Sequence, residues 1–100
     1  MAVGYTFEWD PQKARENRRK HDVSFEEATD VFLDPAAKSI YDLEHSSPGE
    51  DRWITLAAAR GVVLVVVHTF TESNPDEVVI RIISARPATR RETRQYEEEA

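Results

Sequence analysis

Five arginines, Arg81, Arg86, Arg90, Arg91 and Arg94, fall in the stretch RIISARPATRRETRQYEE, where Glu92 is the one acid among residues 81–94. Arginine stays charged, and its planar fork can meet two oxygens of a phosphate at once. The same stretch reads as a buried strand that breaks at Pro87 and restarts as a helix capped at Thr89. A helix N-terminus offers free N–H groups and partial positive charge to an anion. Arg86 lies between the strand and that helix, so it is expected to contact phosphate. Arg90 and Arg91 oppose the helix dipole in the first turn, a cost that a bound anion would offset. The competing expectation is that these arginines pair with the nine carboxylates of residues 22–51.

Two polar residues interrupt the most apolar runs. His68 ends VVLVVV and Arg81 divides VVIRII. His68 suits proton transfer near neutral pH, or else it packs in the core on Trp53. Strict alternation puts Arg81 and Arg86, five residues apart, on opposite faces. They can share a site only if the chain leaves the sheet before Arg86. Lys20 and His21 close a first helix, where cations favour the dipole. Lys13, Asn17 and Lys20 fall on one face of that helix, which is expected either to track an RNA backbone or to be solvated. No histidine pair has ligand spacing and there is no cysteine, so no metal site is expected. Without a P-loop or a GxGxxG motif, no nucleotide cofactor is expected either.

The formal net charge of −6 hides a polarity along the chain. Residues 13–20 balance at +4, residues 22–51 at −8 and residues 81–94 at +4. Overall acidity disfavours sequence-blind nucleic-acid binding, which rests on many phosphate contacts, but it permits a small cationic site. The acidic middle would keep the molecule soluble or receive a basic partner segment. With no secretory signal and no apolar run near the ~20 residues of a membrane span, a cytoplasmic protein without membrane contact is expected. One hundred residues are read as one domain, 1–100.

Tyr5, Phe7 and Trp9 alternate as in a short strand. Asp10 and Pro11 then start a helix as N-cap and first residue. Ser24 and Glu27 form a capping box for a second helix, which Asp34-Pro35 ends. Strands are predicted at 37–42, 52–59, 62–70 and 78–85, with Arg60-Gly61 as a two-residue hairpin turn that sets Trp53 opposite His68. VVLVVV and VVIRII should be the central strands. The fold class is α+β: an N-terminal strand and two helices, a four-strand antiparallel meander, and a C-terminal helix packed on one sheet.

FEWDPQKARENRRKHDVSFEEATDVFLDP, followed by VVVHTF and IRIISARPATRRETRQYEE, resembles the BrnT family of type II toxins. Asp22 stands where that family usually carries glycine after Lys-His. The resemblance implies a RelE-like fold and a ribonuclease activity that inhibits translation. It also implies neutralisation by BrnA, a ribbon-helix-helix antitoxin, in a two-plus-two complex that contacts operator DNA only through the antitoxin. Metal-independent RNA cleavage needs a base, cations at the phosphorane and an acid. His68, Arg81 and Arg86 are the residues expected to do that work, with Lys20, His21, Arg90 and Arg91 on RNA phosphates. The alternative is a non-catalytic toxin-like module that serves only as antitoxin partner and corepressor.

Overall fold

The structure, a computed structural model, describes residues 4–98. Strand β1 (Gly4–Glu8) leads into helix α1 (Pro11–His21). Asp10 caps α1 through its side chain, which accepts from the Gln12 N–H at 2.9 Å. At the other end Asp22 adopts the left-handed conformation, φ 54° and ψ 34°, the usual C-terminal stop and one that favours glycine. Helix α2 (Phe25–Ala28) begins with the capping box: the Ser24 hydroxyl accepts from the Glu27 N–H at 3.0 Å. The segment tightens at once into a 3₁₀ turn (Thr29–Leu33), so only its first turn is α-helical.

Strands β2 (Lys38–Tyr41), β3 (Arg52–Ala59), β4 (Val62–Thr69), β5 (Thr71–Asn74) and β6 (Glu77–Pro87) follow, then helix α3 (Arg90–Glu98). The sheet order is β1-β6-β4-β3-β2, with β5 also paired to β6. The two strongly apolar strands, β4 and β6, are interior as expected. The four predicted strands pair antiparallel in sequence order, β2-β3-β4-β6. The sheet as a whole needs correction: β1 lies parallel to β6, which makes it mixed, and residues beyond the expected third strand form β5, which pairs with the start of β6. Arg60 and Gly61 both take positive φ, 52° and 83°, the twist that a two-residue hairpin requires. Trp53 does stand opposite His68.

Register assigns the sheet two unlike faces. Ala57, Leu64, Val66, Ile80, Ile82 and Ala85 meet Phe25, Ala28 and Val31 in the core, on what we term the helical face. Phe25, Val31 and Ile80 are fully buried, each contributing about 1.5–3 kcal/mol by leaving water. On the outer face, register lines up Lys38, Leu56, Val65 and Arg86 in one row. Helix α3 crosses along this row. Its Glu92 meets Arg86, and the Lys38 ammonium donates to the Gln95 and Tyr96 carbonyls at 2.9 and 3.1 Å.

Asn17 closes the remaining edge. It is buried, not solvated as its helical spacing suggested. Its amide donates to the Ala85 carbonyl at 2.8 Å and the Val23 carbonyl at 3.0 Å, and its oxygen accepts the Ala85 N–H at 3.1 Å. The side chain thus continues, for one residue, the backbone pairing that β1 gives to the first half of β6.

Candidate functional site

A β-bulge decides where the arginines point. His68 pairs with Ile82 and Val67 with Ser84, so Ile83 is an extra residue in β6. One inserted residue reverses the alternation beyond it. Arg81 and Arg86 therefore share the outer face, although β6 stays in the sheet through Pro87. They stand roughly 15 Å apart along the strand. His68, opposite Ile82 and Trp53, lies on the helical face. The sheet separates it from both arginines.

Arg86 is gripped end-on. Its two terminal nitrogens donate to the two Glu92 oxygens at 2.8 and 2.9 Å, and one also reaches the Pro87 carbonyl at 3.3 Å. Glu92 simultaneously accepts the Thr89 N–H at 2.8 Å, while its own N–H donates to the Thr89 hydroxyl at 3.1 Å. The capping box of α3 thus holds the arginine, and the expected acids of 22–51 do not. Hydrogen bonds from Arg86 and Thr89 push the Glu92 carboxyl down to about 2. A guanidinium has five N–H donors. With its end occupied, the Nε–H and one Nη2–H form a side edge with no partner among the described residues, the right width for two phosphate oxygens.

Arg90 and Arg91 follow in the first turn of α3 and are exposed. Asn17 fastens the last turns of α1 beside Ala85, one residue before Arg86. Lys20 and His21, at the end of α1, consequently stand at the same end of β6 as Arg86, Arg90 and Arg91. His21 is half-exposed, with no hydrogen bond among the described residues.

His68 and Arg81 stand at the other end of β6. Arg81 is half-exposed and pairs with Glu8 at 3.6 Å, across the parallel β1–β6 register. His68 is 2% exposed. Its Nδ1 lies 3.0 Å from the Thr69 carbonyl and must carry the hydrogen. Its Nε2 lies 2.6 Å from the Thr55 hydroxyl, and its ring meets Phe32 edge-on at 4.8 Å. Trp53 pairs instead with Tyr41. Burial lowers the His68 pKa from the ordinary imidazole value, so the ring is neutral at neutral pH. Among the described residues, no three His, Asp or Glu side chains converge as a metal ligand set. No described helix is long and apolar enough to cross a membrane.

Sequence reasoning missed Asn17 and Glu92. Asn17 is an uncharged amide set among the charged residues that end α1, Arg15 to Lys20, which signals a side chain with backbone to satisfy. Glu92 was visible as a cap but not as the clamp of Arg86.

These features define a mixed α+β protein built on one sheet, with a cationic strand-to-helix junction at one end of its central strand. The model of a family described as "Ribonuclease toxin, BrnT, of type II toxin-antitoxin system" matches residues 9–92. The chain belongs to that family, the ribonuclease toxins of type II toxin–antitoxin systems. Among curated proteins, nothing matches it.

Proposed function

We propose that this chain is a metal-independent endoribonuclease that cuts RNA, inhibits translation in the cytoplasm and is held in check by a BrnA-like ribbon-helix-helix antitoxin in a two-plus-two complex. Operator DNA is reached through the antitoxin, and the arrangement of strands and helices is read as RelE-like within one domain, 1–100. The observation that carries this reading is the junction itself. Arg86 keeps a free two-donor edge beside the N-terminus of α3, and Lys20, His21, Arg90 and Arg91 stand at the same end of the sheet.

In this account the Arg86 side edge takes two oxygens of the scissile phosphate, and Arg90, Arg91 and Lys20 neutralise the flanking charge. His21 takes the proton of the 2′-hydroxyl as O2′ bonds to phosphorus. The bond from phosphorus to the 5′-oxygen breaks, and that oxygen takes a proton from water. The products are a 2′,3′-cyclic phosphate and a 5′-hydroxyl. His68, neutral and enclosed, is assigned to holding the helical face in place. Arg81, paired with Glu8, is assigned to the other end of the strand. Expression of the chain alone should arrest growth with RNA cleavage, and co-expression of the antitoxin should relieve it. Arrest that persists unchanged in an Arg86→Ala, Arg90→Ala, Arg91→Ala triple variant overturns the assignment.

A further inference from the structure

On the helical face beside β2, a cavity of about 330 Å³ opens between Tyr5, Phe32, Trp53 and Phe70. Its polar floor is Ser39, Thr55 and His68. The Ser39 and Thr55 hydroxyls lie 2.7 Å apart, and Thr55 is 2.6 Å from His68 Nε2. Because Nδ1 donates to the Thr69 carbonyl, Nε2 must accept from Thr55, and Thr55 in turn accepts from Ser39. Every hydroxyl hydrogen points inward. The pocket therefore shows an incoming group aromatic walls and the lone pairs of Ser39, a combination suited to an apolar side chain or a hydrogen-bond donor.

The surroundings select the partner. β2 ends the sheet order, and its outer edge carries no strand among the described residues. Beside it Ile40 and Leu43 are 64% and 80% exposed, an apolar surface typical of an interaction site. The adjoining loop carries Asp42, Glu44, Glu50 and Asp51. Glu50, Asp51 and Glu72 also line a second cavity that shares Trp53 and Phe70 with the first, and Arg81 is the lone cation there. This acidic mouth repels RNA phosphates and attracts lysine and arginine.

We propose that the β2 edge and its pocket receive an extended basic segment of a partner protein. Its backbone pairs with β2, and one aromatic or branched apolar side chain fills the pocket. The inference rests on the reading of the chain as a toxin held by a protein partner, and it places the inserted side chain of that partner on the opposite face of the sheet from Arg86.

The test is NMR of the isotopically labelled full chain titrated with a synthetic peptide of lysines and arginines around one central phenylalanine. The Trp53 indole N–H and the Ser39 and Tyr41 amides should shift, whereas the Trp9 indole, packed on Phe25, should not. Replacing the phenylalanine of the peptide by alanine, or filling the pocket with Ala37→Phe, should weaken binding about tenfold or more. A Glu50→Gln, Asp51→Asn double variant covers the case in which the filled pocket misfolds, and it should weaken binding in a salt-dependent way. No peptide binding, shifts centred on Arg86 and α3, or a stronger response to a uridine oligomer would each overturn the proposal. RNA cleavage measured on the same samples separates the readings. Peptide failure with cleavage intact removes only the docking site, and cleavage failure with the Trp53 shifts intact removes only the nuclease.

Discussion

The Arg86 guanidinium meets the Glu92 carboxylate end-on, at 2.8 and 2.9 Å, across the junction between β6 and α3. This pair fixes the angle at which the arginine presents its free edge. It also makes the junction sensitive to acid. The folded Glu92 carboxyl is pushed down to about 2, against roughly 4.3 in an unfolded chain. A depressed carboxylate contributes stability that is present above the unfolded value and lost as pH falls through the folded one. Glu92→Gln should therefore cost about 1 kcal/mol at pH 7 after solvent screening of this part-exposed pair. The difference from the native chain should shrink between about pH 4.3 and 2. Denaturant melts across that range check it, and a difference that grows in acid contradicts it.

Asn17 is the joint between α1 and β6. Asn17→Ala leaves the Ala85 N–H and C=O and the Val23 C=O without their partner, and unpaired buried backbone is costly. The loss should be about 2–3 kcal/mol, read as a lower denaturation midpoint. Asn17→Asp keeps the shape but loses both donors and should not restore stability. A change within ~0.5 kcal/mol, as at an ordinary surface position, would remove Asn17 from this role.

Asp22 occupies a left-handed backbone position that glycine adopts without strain. Asp22→Gly should stabilise the chain by about 0.5–1 kcal/mol and raise Tm by several degrees, roughly 4–8 °C per kcal/mol for a domain of this size. The ion pair lost with it, to Arg18 at 3.1 Å, is exposed on both sides and contributes little. A fall in Tm would show that this pair or the denatured state governs the site.

Burial lowers the His68 pKa, so the unfolded chain takes up this proton first. Stability is present above the ordinary imidazole value of about 6.5 and is lost as pH falls through the lower folded value. The His68 ring resonances should accordingly titrate below about pH 6.5. Titration at or above that value would mean the ring reaches solvent or a carboxylate.

Local signals were readable where chemistry acts over a few residues. Asp10-Pro11, Ser24 with Glu27, Thr89 with Glu92, and Arg60-Gly61 are caps and turns whose partners lie within four positions, and all formed as their spacing required. The Trp53–His68 pairing followed from the turn. The bulge at Ile83 was not readable, because it arises from fitting β6 between two neighbours and no glycine marks it. That single residue reverses the inferred relation of Arg81 to Arg86 and leaves His68 on the far side of the sheet. The burial of Asn17 was hidden for the same reason: its partners are 68 residues away in Ala85 and beyond the helix end in Val23. β5 was not readable either, because TESN is polar throughout, and only pairing with the start of β6 makes it a strand.

The most direct test is cleavage of purified RNA in EDTA by the native chain beside folded Arg86→Ala, His21→Gln and His68→Gln variants. The native chain should cleave, the Arg86 and His21 variants should lose about a hundredfold or more, and the His68 variant should stay active wherever it remains folded. Absence of cleavage by the native chain, or loss confined to the His68 variant, would contradict the roles given to Arg86 and His21.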